Sequence, residues 1–140
     1  MLIAVIGFVL LTRYTQPGIP EAIQEFGKRY QKIRNQSDHD SAMNGMLALF
    51  HWENTAADIR QAVIRNLYFE MDIPIRSITF RPWAPESDTS EFFPELTYPN
   101  LEPQWVMTVL FDESPRHTLN LPIGYDGEAW KIVNPILQES

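Results

Sequence analysis

There is no cysteine among the 140 residues of this chain. Its absence excludes disulfides, thiolate zinc sites, iron–sulfur clusters and cysteine nucleophiles together, and with them the lipid-acceptor cysteine of a bacterial lipoprotein. It assigns no compartment, because a reducing cytosol and an extracytoplasmic space both tolerate such a chain. Positive charge is scarce as well: 11 Lys and Arg stand against 18 Asp and Glu, a net charge of −7. The deficit is local, since residues 1 to 81 carry 9 basic and 8 acidic side chains and residues 82 to 140 carry 2 and 10. Nucleic-acid binding depends on clustered Lys and Arg, so no nucleic-acid partner is expected. The chain also lacks a G-x-S-x-G elbow, a P-loop and a G-x-G-x-x-G turn. No catalytic residue is assigned and no cofactor is expected.

The opening apolar run, MLIAVIGFVLL over residues 1 to 11, is shorter than the ~18 to 20 residues that cross a bilayer. No basic residue precedes it and no A-x-A-like cleavage site follows it. A segment apolar on all sides cannot sit half-exposed on a small soluble domain. Residues 1–14 therefore read as a membrane anchor or signal-anchor remnant, with Arg13 and Tyr14 at the interface and residues 15–18 as a linker. The rival reading is a strand or helix buried in the domain. An anchor makes the protein membrane-bound through its N-terminal segment, with the domain extracytoplasmic; a cytoplasmic domain is the alternative.

What is present is a foldable domain, residues 19–140, with 44% apolar residues, 8 Phe, 5 Tyr and 4 Trp. Ile19-Pro20-Glu21 suits a helix start, and Ile23, Phe26, Tyr30 and Ile33 recur at helical spacing up to Arg34. Lys28, Arg29, Lys32 and Arg34 crowd its second half as a solvated face, or as a contact for anionic lipid if the anchor is real. Met43, Met46, Leu47 and Phe50 mark a second helix. Thr55 and Asp58 resemble a capping pair for a third, along which Ile59, Val63 and Leu67 form a stripe.

After Pro74 the period changes from 3.6 to 2. Ile78 and Phe80 belong to a first strand, and QWVMTVLFD forms a central one with Trp105, Met107, Val109 and Phe111 on one side. Leu119, Leu121, Ile123 and Tyr125 form a third, in which Pro122 suggests an edge or bulge. Trp130 and Ile132 form a fourth, joined to the third through Asp126-Gly127, a dipeptide that accepts the positive φ of a tight turn. Residues 84 to 103, with four prolines, five acids and no base, read as a long loop, part of which packs through Phe92, Phe93, Leu96 and Tyr98. The expected class is α+β: about three N-terminal helices packed on a curved antiparallel sheet of about four strands.

This order of helices and meander, ending in YDGEAWKIV, resembles the cystatin-like cone of the nuclear-transport-factor-2-like superfamily, whose members often finish with a hairpin of aromatic, Asp-Gly and Trp-Lys-Ile. The resemblance covers roughly residues 20 to 135. Three helices before the first strand depart from the superfamily's commonest arrangement. It implies isomerases, dehydratases, transport adaptors and extracytoplasmic accessory domains alike, so the fold does not fix the function.

Two functions follow as expectations. The first is a non-enzymatic, membrane-tethered accessory domain that presents to a protein partner either a sheet face or the acidic loop, the latter through Glu91, Phe92, Phe93 and Glu95. The second is a small-molecule-binding or isomerase-like cone with a pocket lined by Trp52, Trp83, Trp105, Met107 and Trp130. An acid/base pair for such a cone would come from His51, Glu53, Tyr68 and Glu70. Asp38-His39-Asp40 matches no metal-ligand spacing and reads as helix-cap chemistry, so no metal is expected. Phe50 and Trp52 read as a clamp between two helices, with His51 and Glu53 turned to water.

Overall fold

A computed structural model describes residues 18–113 and 117–137. The expected anchor and residues 15–17 of the linker lie outside these, as does most of the turn expected at residues 113–116. The elements run α1 (Glu21–Arg34), α2 (His39–Ala48), α3 (Ala57–Glu70), β1 (Ile75–Pro82), α4 (Pro85–Phe92), β2 (Thr97–Pro99), β3 (Trp105–Phe111), β4 (Thr118–Tyr125), β5 (Trp130–Ile132) and β6 (Pro135–Leu137). The fold is α+β, with three helices before the first strand. Strands β1, β3, β4 and β5 make an antiparallel sheet in that order, and β2 pairs with β6 in a separate ribbon.

The helical stripe and the strand alternation meet in one core. Ile23, Phe26 and Tyr30 of α1, with Met46, Leu49 and Phe50, close over Phe80, Met107, Val109, Phe111, Ile123 and Ile132. Each such side chain contributes about 1.5–3 kcal/mol on leaving water. At Gly27 the α1 backbone comes so near the sheet that a Cβ there would lie 2.8 Å from Cζ of Phe80. The α2 segment also extends the sheet: Ile132 donates to the Leu49 carbonyl and His51 N–H to that of Ile132, both at 2.8 Å.

Several local expectations are corrected. Ala56, not Thr55, precedes α3, and the Asp58 carboxylate accepts from the Ile59 N–H instead of closing a capping box. Pro122 lies in β4, between β3 and β5, opposite Val106. Its carbonyl accepts from Val133. N–H and C=O of one strand residue point the same way, so the missing donor faces the place where β5 has ended and no ladder bond is lost. Residues 84 to 103 are not a plain loop, since they contain α4 and β2.

Candidate functional site

Among the described residues, two surfaces away from the exposed Tyr68 and Phe69 of α3 combine unpaired charge with exposed rings or aliphatic side chains. The first begins at α4. Pro85 occupies the first turn with Glu86 and Asp88, as the helix dipole favours. Asp88 is buried and accepts three hydrogen bonds: from Arg81 Nη1 at 2.6 Å, Arg81 Nη2 at 2.8 Å and the Ala84 N–H at 2.8 Å. These bonds from Arg81 hold the Asp88 carboxyl below the usual carboxylate range and push the Arg81 guanidinium up. Asp88 is therefore compensated within the fold. Glu91 and Glu95 stay exposed and join no ion pair among the described residues.

Phe93, expected as an exposed partner anchor, is 5% exposed. Its ring centroid lies 6.0 Å from that of Trp83, and the half-buried Phe92 ring lies 5.4 Å from the same indole. The amphipathic turn of α4 carries both rings back onto Trp83. The apolar groups left in water come just after. Thr97 donates to the Pro94 carbonyl through its N–H at 2.9 Å and its hydroxyl at 2.6 Å. This turn holds Leu96 at φ +70°, a conformation that favours glycine. Leu96 is 67% exposed, and Tyr98 and Leu137 on the β2–β6 ribbon are exposed beside it in sequence and pairing register.

The second surface is an open groove of about 550 Å³ between α1 and the β4–β5 hairpin. Lys28, Arg29 and Lys32 line it from α1, and Tyr125 and Trp130 from the hairpin, their centroids 5.2 Å apart. Lys28 reaches Glu25 at 3.4 Å, whereas Arg29 and Lys32 join no ion pair among the described residues. Glu128 adds one acid from the hairpin. The hairpin differs from a two-residue turn: Tyr125 and Trp130 form the last pair, and residues 126–129 make the loop. Asp126 Oδ1 accepts the N–H groups of Glu128 and Ala129, each at 2.8 Å, and Gly127 takes φ +101°. Those two bonds hold the Asp126 carboxyl below its ordinary range.

The candidate acid/base residues are dispersed. His51 Nε2 lies 3.4 Å from Glu53, but its side chain is only 15% exposed and does not face water as expected. Tyr68 is exposed on α3, edge-on to His39 at 5.2 Å. Glu70 lies by Arg34, and burial raises its carboxyl while Arg34 and His117 draw it down. Asp38 binds the Ser41 hydroxyl at 2.6 Å. No group of three or more His, Asp or Glu among the described residues is placed to hold a metal.

The five residues expected to line one pocket are not gathered around a cavity. Met107 is in the core, and Trp52, Trp105 and Trp130 pack against it. Trp52 stacks on Phe50 at 5.3 Å and donates to the Leu47 carbonyl at 2.8 Å, and across the expected clamp the Arg60 guanidinium of α3 lies 4.9 Å from the Trp52 ring centroid. Trp83 stands apart with Phe92 and Phe93, and of the five only Trp130 reaches the groove. Leu96 and Tyr98, expected to pack with Phe92 and Phe93, are exposed instead, and sequence reasoning missed Leu137 and the groove. Only the run of bases on α1 hinted at the last.

In comparisons with known proteins, no family model, no curated protein and no solved structure matches the chain. No helix among the described residues is long and apolar enough to cross a membrane.

Proposed function

We propose that this chain is a non-enzymatic accessory domain, tethered to a membrane through residues 1–14, that engages a protein partner through the β2–β6 ribbon and its acidic rim. The single observation behind this is Leu96: a large aliphatic side chain held in a glycine-type conformation and left in water. Such a residue costs stability twice, through backbone strain and through exposure, and contact with a partner offsets the second cost. Tyr98 and Leu137 widen the apolar surface, while Glu91 and Glu95 give it a rim of one sign. The apolar run at residues 1–11 supports the tether, and the closing YDGEAWKIV hairpin supports a cone of the nuclear-transport-factor-2-like type.

The test uses the full chain in its native membranes. Leu96→Gly relieves the positive φ and removes the side chain, so it should leave the thermal transition unchanged or raised while releasing the protein partner that co-purifies with the wild type. A Leu96→Gly chain that keeps its full complement of partners would show that the ribbon is not the binding surface. Extraction of the full chain by alkaline carbonate without detergent would count against the tether.

The alternative, a small-molecule-binding cone, has one observation in its favour, the aromatic pair Tyr125 and Trp130 in the groove. That groove is open to solvent and walled by two elements, which suits a protruding segment better than an enclosed ligand.

A further inference from the structure

We infer that the partner of the ribbon is a second copy of this chain, whose α1 groove receives it; this rests on the reading of the ribbon as a binding surface. The two surfaces are complementary in kind. Arg29 and Lys32 line the groove and join no ion pair among the described residues, beside the exposed Tyr125 and the half-buried Trp130. Glu95, next in sequence to the exposed Leu96, and Glu91 on α4, whose charge acts on Arg81 through space, join no ion pair among the described residues. Seating Leu96 against the two rings would remove apolar surface from water on both sides. It would also bring the unpaired carboxylates of one copy to the unpaired cations of the other.

The charges within the groove decide the polarity of the fit. Glu25 already shares Lys28, and Glu128 stands on the hairpin wall, so the attraction is carried by Arg29 and Lys32. A net charge of −7 on each copy opposes approach, but at physiological salt repulsion between exposed charges is largely screened beyond about 8 Å. Short-range pairing then determines the outcome. Anionic lipid is a weaker occupant, because Glu21 and Glu25 occupy the end of α1 nearest residues 1–14, ahead of the three bases. Each copy owns one ribbon and one groove, so two reciprocal contacts close a twofold dimer, whereas a single contact would propagate as an open chain. A twofold axis along the membrane normal keeps both N-terminal segments on the same side.

The absence of cysteine makes the test direct, since any introduced cysteine is the chain's only thiol. Full-length Lys32→Cys and Glu95→Cys chains, differently tagged, are co-expressed and mildly oxidised in native membranes. The expected result is a disulfide-linked pair carrying both tags. A control with Gln61→Cys, on the exposed side of α3, in place of Lys32→Cys should give none. Adding Lys28→Glu and Arg29→Glu to the Lys32→Cys chain should cut the yield several-fold, and Glu91→Lys on the Glu95→Cys chain should restore it. A yield no greater than the control, or one indifferent to the charge reversals, overturns self-pairing. If Leu96→Gly meanwhile still releases a different protein, the ribbon reading stands and only the identity of its partner is wrong.

Discussion

Arg34, at the end of α1, closes the end of α3 by donating from Nη2 to the main-chain carbonyl of Glu70, and to that of Ile73 at 2.8 Å. Its guanidinium lies 4.9 Å from the centroid of the Phe111 ring and is 4% exposed, yet no carboxylate forms an ion pair with it among the described residues. The Glu70 and Ile73 carbonyls and the face of Phe111 supply its close contacts, and the Glu70 carboxylate acts on it from beyond ion-pair distance. Arg34 was expected on the solvated basic face. Its place in the run of bases suggested this, but Arg34 stands four residues after Tyr30, on the buried stripe of α1, and so lies under α3. Burial raises the Tyr30 hydroxyl beside it, an effect that Arg34 partly reverses.

Replacing Arg34 by Met keeps much of the volume and takes the Arg34 donor from the Ile73 carbonyl, while the Glu70 carbonyl keeps the Ile73 N–H at 3.0 Å. An unsatisfied buried group costs about 1–3 kcal/mol, so Arg34→Met should destabilise by about 1–3 kcal/mol in urea unfolding. Arg34→Lys should recover less than half of this, because a single ammonium on a differently shaped stem cannot reproduce the guanidinium's reach and stacking. A variant as stable as the wild type would show that Arg34 contributes nothing net.

Glu70 and Asp88 should give opposite pH signatures. Burial raises the folded-state pKa of Glu70 above its unfolded value of about 4.3, so as pH rises the unfolded chain releases this proton first and stability falls. Glu70→Gln should therefore raise the melting temperature at pH 7 and give no gain at pH 3.5. Asp88 has a depressed folded pKa, so its contribution is present above about pH 3.9 and is lost as pH falls through the folded value. Asp88→Asn should lower the melting temperature at pH 7, with the difference from wild type shrinking in strong acid.

The neighbouring rings of Phe92 and Phe93 should separate energetically. Phe93 is buried, and truncating a buried Phe to Ala costs about 3–5 kcal/mol. Phe93→Ala should fall in that range, and Phe92→Ala, half-exposed against Trp83, should cost less than half as much. Equal costs from chemical denaturation would mean that α4 does not carry them to different depths.

In the final hairpin, Asp126→Asn keeps an oxygen to accept from Glu128 and Ala129, so the melting temperature should hardly move. Asp126→Ala loses both bonds and should lower it measurably. Gly127→Val places a β-branched residue at φ +101°, and should cost about 1–2 kcal/mol or more. If Asp126→Asn proved as damaging as Asp126→Ala, the negative charge would matter and the corner would have a role beyond turning the chain.

The sequence by itself determined the class of fold. Ile23, Phe26 and Tyr30 at spacings of three and four, and Trp105, Met107, Val109 and Phe111 at a spacing of two, impose α1 and β3 because only those periods place their apolar groups on one side. The elements follow in that order, and Asp126-Gly127 marks the last corner. Composition misled over residues 84 to 103, where proline and acid suggested a loop. Pro85 is favourable at a helix start, and Asp88 needed Arg81 from another element to be buried at all. The candidate surfaces were decided only by tertiary structure. Whether Phe93 or Leu96 is left in water depends on which element lies across from it in space, and residues distant in the chain set that. Local periodicity fixes which side of an element is apolar; packing alone fixes what remains uncovered when the elements have met.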